Sequence, residues 1–276
     1  MRVDALPLAP AFAILICVPL ALRAVGPGGS LGRLLTAAYA PAAAAAIVAI
    51  VVPQGILAAA IALVWFGYTL VAALHGLSRA LSAAGRTPPE LCIAAGFAYL
   101  AVGGAWFVLW RSGIEIAGFG EHVPLLTAIH FHFAGFASSL LAGLAGRRLR
   151  GGAARVFRVA ALVVVLGPAF VALGIAGVSA IEAPAAVAFA LGTAGVALLT
   201  LVDVAATLRG AARVLLTISC FAALIGMTLA VAYAAGNGFG RPTFSVDEMA
   251  RWHGAANAIG YVFCGLLAWN TVPVNK

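Results

Sequence analysis

The sequence predicts an all-α protein, a polytopic integral membrane helical bundle with about nine transmembrane helices. Hydrophobic residues make up 64% of its 276 residues and charged residues only 9%, whereas a soluble domain has about 25% charged residues. The apolar residues form repeated runs of about 20, which is the length that a helix needs to cross a bilayer. Because these runs are continuous rather than alternating, they exclude a membrane β-barrel.

The nine apolar runs follow one another with only short loops between them. The first run lacks a clear basic n-region and a small-residue cleavage site, so we interpret it as a membrane span and not as a signal peptide. No linker or soluble domain interrupts the series, which predicts a single bundle domain over residues 1–276. The predicted spans cover residues 6–22, 34–52, 55–77, 91–110, 123–145, 156–178, 184–206, 212–235 and 250–271.

The charged residues predict how the bundle is oriented. Loops after odd-numbered spans hold most of the bases, namely Arg23, Arg33, Arg79, Arg86, Arg147, Arg148, Arg150, Arg155, Arg209 and Arg213. Loops after even-numbered spans hold most of the acids, namely Glu115, Glu121, Glu182, Asp247 and Glu248, with Arg111 and Arg241. Since bases favour the cytoplasm, we expect the N-terminus outside and the C-terminus inside. The net charge of +8 is therefore a topology signal, and we expect no nucleic-acid partner.

Two histidines lie inside one apolar run, in the segment Thr127-Ala128-Ile129-His130-Phe131-His132-Phe133. Ionisable groups within a bilayer are costly, so they mark a candidate functional site. His130 and His132 lie about 10–14 Å below the predicted outer interface and about 200° apart around an ideal helix. They cannot both face one small site. Two interpretations remain: at least one of them is functional, or both are structural residues that form hydrogen bonds within the bundle.

A second polar group opens the last span. His253 and Asn257 are four residues apart and share one helix face, an arrangement that suits a general acid/base with an orienting amide, or equally an interhelical hydrogen-bonding pair. Glu182 opens the seventh span from the same side, where the helix dipole favours a carboxylate whatever its function. We predict a polar pocket in the outer-leaflet half, with His130, Glu182, His253 and Asn257 as its catalytic residues.

Other residues near the same predicted interface are candidates for binding a substrate. They are His132, Trp106, Trp110, Arg111, Phe131 and Tyr233. The tryptophans also fit the role of interface anchors, and Arg111 also fits that of a solvated loop charge. No Walker loop, dinucleotide fingerprint, zinc-protease motif or haem-attachment motif occurs, and the four cysteines have no CxxC spacing. We therefore predict no cofactor and no metal site.

Three blocks of the sequence resemble a known family. They are residues 127–136, residues 167–174 (Gly-Pro-Ala-Phe-Val-Ala-Leu-Gly) and residues 252–260 (Trp-His-Gly-Ala-Ala-Asn-Ala-Ile-Gly). They are similar to the YndJ-like family of bacterial multi-pass membrane proteins, and the similarity extends over most of the chain. The resemblance implies a multi-pass protein of the bacterial inner (plasma) membrane. It also implies that His130, His132, His253 and Asn257, and more weakly Glu182, mark the site.

These observations leave three classes of function. The first is an intramembrane enzyme that performs non-redox acid/base chemistry, such as isomerisation, cyclisation or epoxide opening, on a lipophilic small molecule. The second is a small-molecule transporter, which would need polar residues that continue to the cytoplasmic side. The third is a haem- or metal-binding protein that uses His130, His132 and His253. The lipid bilayer is the expected surrounding in each case.

The alternating arginines make the topology testable. We expect reporter fusions at Lys276 and within the loop of residues 147–155 both to report a cytoplasmic location. A fusion in the loop of residues 236–245 is the matched control and should report the outside. A periplasmic signal from either of the first two positions would overturn the orientation and the outer-leaflet assignment of the pocket.

Overall fold

The computed structural model describes residues 6–26, 28–115, 122–175 and 177–272. Within these ranges the chain forms nine helical segments and no strand. Eight are long and apolar enough to cross a membrane. The ninth, residues 246–271, joins α-helical and π-helical stretches, and residues 254–271 contain no charged side chain. The predicted all-α membrane bundle is confirmed, whereas the orientation of its ends stays a prediction. Glu121 and Lys276 lie outside the described residues.

The observed helices begin and end within several residues of the predicted spans. We name them α1 (Leu8–Val25), α2 (Gly29–Val51), α3 (Ile56–Leu81), α4 (Pro88–Ser112), α5 (Val123–Gly146), α6 (Gly151–Ile175), α7 (Ala180–Thr207), α8 (Gly210–Gly238) and α9 (residues 246–271). A short 3₁₀ turn, Ala83–Arg86, lies between α3 and α4.

The outside of the bundle is apolar, as a protein surrounded by lipid requires. Large aliphatic and aromatic side chains such as Leu63, Leu162 and Phe221 are exposed on it. A soluble protein rarely exposes so much contiguous apolar surface. These side chains face the hydrocarbon of the bilayer.

Small residues let α4 and α5 pack closely. A side chain on Gly143 would lie 2.6 Å from the carbonyl oxygen of Pro89, and one on Gly135 would lie 2.8 Å from the Cβ of Tyr99. Ser139 lies between these two glycines on the same helix and is fully buried. Small residues at four-residue spacing are typical of tight membrane helix pairs, so α5 is held against α4 along most of its length.

Arg111 ties the end of α4 to the end of α2. Pro53 has no backbone N–H, so the carbonyl of Ala49 four residues earlier lacks its usual helical donor. Nε of Arg111 donates to this carbonyl at 2.8 Å. In the opposite direction, Nε2 of Gln54 donates to the carbonyl of Trp110 at 2.9 Å. The guanidinium carbon of Arg111 lies 4.6 Å from the centroid of the Trp110 ring. The turn between α2 and α3 is therefore anchored by a buried charge.

A cluster of charges joins three helices at the opposite end of the bundle. Glu90, in the first turn of α4, forms ion pairs with Arg79 of α3 and with Arg147, which directly follows α5. The distance from Glu90 Oε1 to Arg147 Nε is 2.6 Å. The sequence drew no attention to Glu90, because a single acid ahead of an apolar run is common at a helix start.

The anchoring role of Arg111 predicts a loss of stability on substitution. Arg111→Met keeps an apolar stem but leaves the buried carbonyl of Ala49 without a donor, which costs about 1–3 kcal/mol. We expect a lower midpoint in detergent-induced unfolding. Arg213→Met removes an exposed arginine and should change stability by no more than about 0.5 kcal/mol. Equal stability of Arg111→Met and the wild type would contradict the anchoring role.

Candidate functional site

A cavity of about 770 Å³ lies in one half of the bundle. It is lined where α1, α5, α7 and α9 begin and where α4, α6 and α8 end. Under the predicted topology this is the outer half. Most of the lining is apolar, and its polar or partly polar side chains are Trp106, Thr127, His130, Ser138, Thr193, Tyr233, His253, Asn257 and Tyr261.

His130 lines the cavity from α5. Its Nε2 lies 3.4 Å from the carbonyl oxygen of Pro168 on α6. A carbonyl oxygen can only accept, so this contact assigns the proton to Nε2 of the neutral ring. Nδ1 is then the nitrogen that carries a lone pair. The structure therefore indicates that His130, and not His132, is the cavity histidine of this segment.

His253 lines the cavity from α9 and is held in a similar way. Its Nδ1 lies 2.8 Å from the carbonyl oxygen of Gly226 on α8 and 3.2 Å from Nδ2 of Asn257. Because the carbonyl oxygen can only accept and is the nearer of the two, Nδ1 carries the proton and Nε2 is the free acceptor. The tautomer is opposite to that of His130. Each of these two cavity imidazoles therefore has one nitrogen that no backbone carbonyl engages.

Asn257 supports His253 from the next turn of α9. Its Nδ2 donates to the carbonyl oxygen of His253 at 2.8 Å, so its Oδ1 is left as an acceptor. A side chain on Gly226 would lie 2.6 Å from Nδ2 of Asn257. Glycine at position 226 thus allows α8 to approach closely enough for its carbonyl to reach the His253 ring.

π-helical turns carry most of this site. The π-helical stretches are Ala13–Cys17, Phe131–Ala137, Thr200–Val204, Ala250–Gly254 and Ala256–Phe263. His253 and Asn257 lie within two of them, and His130 directly precedes a third. Such wide turns occur preferentially at functional sites. The positions of side chains predicted from the sequence rest on ideal α-helical spacing, which does not include π-helical turns.

His132 lies outside the cavity and is completely buried. Its Nδ1 donates to the carbonyl oxygen of Ala128 at 2.7 Å, and Nε1 of Trp65 donates to its Nε2 at 3.3 Å. Both ring nitrogens are therefore occupied. A side chain on Gly103 would lie 2.7 Å from the ring, so His132 joins α3, α4 and α5 as a packing residue rather than contacting a ligand.

Glu182 also differs from its predicted position. It lies in the first turn of α7, where the helix dipole favours a carboxylate. Its side chain is exposed and does not line the cavity. The close approach to α6 is made by its backbone, since a side chain on Gly174 would lie 2.5 Å from its Cα. The sequence placed Glu182 at the correct depth but could not determine which way it points.

The predicted substrate-binding residues divide into two groups. Trp106 and Tyr233 line the cavity. Trp110 and Arg111 form the anchor between α2 and α4 and do not line the cavity. Phe131 is buried against Tyr99, with ring centroids 5.5 Å apart, and is likewise absent from the lining.

Three hydroxyl residues of the cavity were not singled out from the sequence. Thr193 is only 2% exposed, and its Oγ1 has no hydrogen-bond partner among the described residues. The hydroxyls of Ser138 and Tyr261 lie 3.2 Å apart and close the deep end. A single threonine, serine or tyrosine in an apolar run is common, so the sequence carried no signal for them.

The described lining of the cavity carries no formal charge. No Asp, Glu, Lys or Arg occurs among the lining residues that the structure describes. Within the same described ranges, no three His, Cys, Asp or Glu side chains come together as metal ligands.

α9 begins with a capping box. The Ser245 N–H donates to the Glu248 carboxylate at 2.8 Å, and the Glu248 N–H donates to the Ser245 hydroxyl at 3.2 Å. Glu248 therefore has a structural role.

Fold and cavity together define a multi-pass helical membrane protein with polar side chains gathered within the bundle. The chain belongs to the YndJ-like family, whose sequence profile ("YndJ-like protein") matches residues 8–261. It is 29% identical over 232 residues to "Uncharacterized membrane protein YndJ" of Bacillus subtilis (strain 168), which covers 84% of this chain and 41% of that protein. The chain thus spans less than half the length of this relative. No solved structure matches it.

The assigned tautomers can be measured directly. We expect ¹⁵N spectra of histidine-labelled protein in lipid nanodiscs to show His253 and His132 protonated at Nδ1 and His130 at Nε2, because the backbone carbonyls of Gly226, Ala128 and Pro168 accept those protons. Single histidine-to-glutamine variants would assign each signal, with exposed His122 as the control. An Nε2–H tautomer at His253 would contradict this geometry.

Proposed function

We propose that this protein is an intramembrane enzyme that performs non-redox acid/base chemistry on a lipophilic substrate. The observation that supports this most is the pair of neutral imidazoles, His130 and His253, in one apolar cavity. Each has one nitrogen tied to a backbone carbonyl and one that can take a proton. An imidazole whose orientation and tautomer are held by its other nitrogen is the usual form of a general base.

Isomerisation by a proton shift is the reaction that this set of groups supports best. Nε2 of His253 would take a proton from a carbon that lies between a double bond and a carbonyl, and the electron pair would be delocalised onto the carbonyl oxygen. In a fraction of turnovers the imidazolium would exchange its proton with solvent before it delivers a proton two carbons further along. One C–H bond is broken and another is formed while the double bond moves by one position, so no oxidant is needed. His130 is the alternative base on the other wall.

The developing negative charge needs a hydrogen-bond donor in this reaction. The Thr193 hydroxyl lines the cavity and has no partner among the described residues, so it is available to donate. Donors that are already in place within an apolar site stabilise such charge strongly. Apolar walls, Phe133 and Phe189 among them, would keep water away from the intermediate.

Epoxide opening and cyclisation fit the site less well than a proton shift. Both need a strong acid at the start of the reaction, and the predicted acid was Glu182. Since this carboxylate is exposed and outside the lining, the acid would have to be a histidine that is protonated in advance. The acid/base proposal therefore rests on the histidines and not on Glu182.

The other two classes receive less support. A transporter needs a polar path beyond the deep end of the cavity, and the void described next to Tyr261, Thr200 and Ser219 has a volume of about 20 Å³. A metal or haem site was predicted to use His132 together with His130 and His253. Both ring nitrogens of His132 are already engaged by Trp65 and Ala128.

Deuterium incorporation tests the proposed reaction without knowledge of the substrate. Purified protein in nanodiscs made from a lipid extract of the source bacterium would be incubated in D₂O, and the lipids analysed by mass spectrometry for carbon-bound deuterium. We expect one lipid class to gain deuterium with the wild type. His253→Gln should slow the gain by about 10²–10⁴-fold, the usual contribution of a general base.

His122→Gln is the matched control, because His122 is exposed and lies outside the cavity lining. It should incorporate deuterium at the wild-type rate. Thr193→Val should also slow incorporation while it preserves the shape of the side chain. The proposal would be overturned if the wild type incorporated no deuterium. It would also be overturned if both His253→Gln and His130→Gln incorporated deuterium at the wild-type rate.

A further inference from the structure

The opening of the cavity is edged by apolar side chains. Three lining residues are exposed, and all three are large aliphatic residues: Leu8 of α1 is 63% exposed, Ile175 of α6 51% and Ile259 of α9 57%. All other lining residues of the described chain are buried or half-buried. A mouth that admitted a ligand from water would be expected to carry polar side chains at its rim.

These rim residues belong to the same apolar surface that faces the bilayer. Ile259 lies well inside α9, more than two turns past its first residue, and not in a loop. An aliphatic side chain in the middle of a membrane helix contacts hydrocarbon. Leu8 is the first residue of α1 and Ile175 the last of α6, so it is the edge at Ile259 that contacts the hydrocarbon of the membrane, between helices.

The uncharged lining of the described cavity restricts the charge that a bound ligand can carry. No charged side chain lines the described cavity, so an anionic or cationic headgroup would be buried without a counter-charge. Such burial costs several kcal/mol per ion even after relaxation. The ligand's polar group is therefore neutral.

The free nitrogens of the two cavity imidazoles favour a ligand that can donate a hydrogen bond. Each cavity imidazole uses its N–H on a backbone carbonyl, so Nδ1 of His130 and Nε2 of His253 can only accept. The Oδ1 of Asn257 is an acceptor as well, because its Nδ2 donates to the His253 carbonyl. A complementary ligand presents O–H groups to these acceptors. A cavity of about 770 Å³ lies in the range of roughly 300–1,000 Å³ that holds one drug-sized molecule, which favours one chain over two.

We infer that the ligand is an uncharged, single-chain lipid alcohol that moves into the cavity laterally from the bilayer. This inference rests on the proposed function, to whose substrate it assigns a hydroxyl group in addition to the carbonyl at which the proton shift would take place. The hydroxyl of the ligand binds the imidazole acceptors, and its chain lies against Phe133 and Phe189 with its far end toward the aliphatic rim. A phosphate ester of the same alcohol is excluded by its charge.

Three photoactivatable probes with one identical diazirine-bearing hexadecyl chain test this directly. They end in a hydroxyl, a phosphate monoester or a trimethylammonium group. Each is added to wild-type protein in nanodiscs of phosphatidylcholine, irradiated, and the adducts are mapped by mass spectrometry. We expect the alcohol to label cavity residues at least about tenfold more than either charged probe, since 1.4 kcal/mol already corresponds to tenfold.

Two pairs of variants test separately which headgroup the cavity binds and by which route the ligand enters. His253→Phe keeps a ring but removes the acceptor, and should reduce labelling by the alcohol, whereas His122→Phe should not. Ile259→Trp narrows the rim and should slow labelling, whereas Leu63→Trp, at an exposed position of α3 outside the lining, should not.

The outcomes distinguish this inference from the proposed reaction. Equal or stronger labelling of the cavity by a charged probe, or no cavity labelling by the alcohol, overturns the ligand class. A labelling rate that is unchanged in Ile259→Trp overturns the lateral route. Selective alcohol labelling by a protein that incorporates no deuterium supports the ligand class and contradicts the proposed chemistry.

Discussion

The polar groups that hold this bundle together find their partners inside the protein, because the surrounding hydrocarbon offers none. The carbonyl of Ala49, which loses its helical donor to Pro53, receives Arg111 instead. The two nitrogens of His132 are both engaged by neighbouring groups. The same requirement ties His253 to the carbonyl of Gly226. One constraint thus produces the helix anchors, the packing histidine and the orientation of the cavity histidine.

This constraint also gives the cavity its chemical character. Because each cavity imidazole donates its proton to a carbonyl, the remaining nitrogens of His130 and His253 are acceptors in a space without formal charge. Hydrogen bonds to these nitrogens are electrostatically stronger in a region of low dielectric constant than they are in water. The proposed proton shift and the neutral alcohol ligand both follow from these two free nitrogens and from the unpartnered hydroxyl of Thr193.

The π-helical turns explain how helices of mostly small residues can hold such a site. A wide turn leaves the regular α-helical hydrogen-bond pattern and shifts the side chains that follow it around the helix axis. The stretches Ala250–Gly254 and Ala256–Phe263 carry His253 and Asn257, while Gly226 lets α8 approach them. The site therefore depends on two features together: the π-helical distortion of α9, and a glycine at the position where α8 contacts it.

The sequence by itself determined the membrane bundle and the depth of its polar residues. Apolar runs of about 20 residues locate the spans, and the positions of His130, His253 and Asn257 along them locate the cavity in one half. The tertiary structure decided which side chains point into it, because a helix has a full turn of possible directions at any depth. His132 and Glu182 lie at suitable depths but point elsewhere, one into the core and one outward. Thr193 faces the cavity only because α7 packs with that side inward, which no local pattern in the sequence specifies.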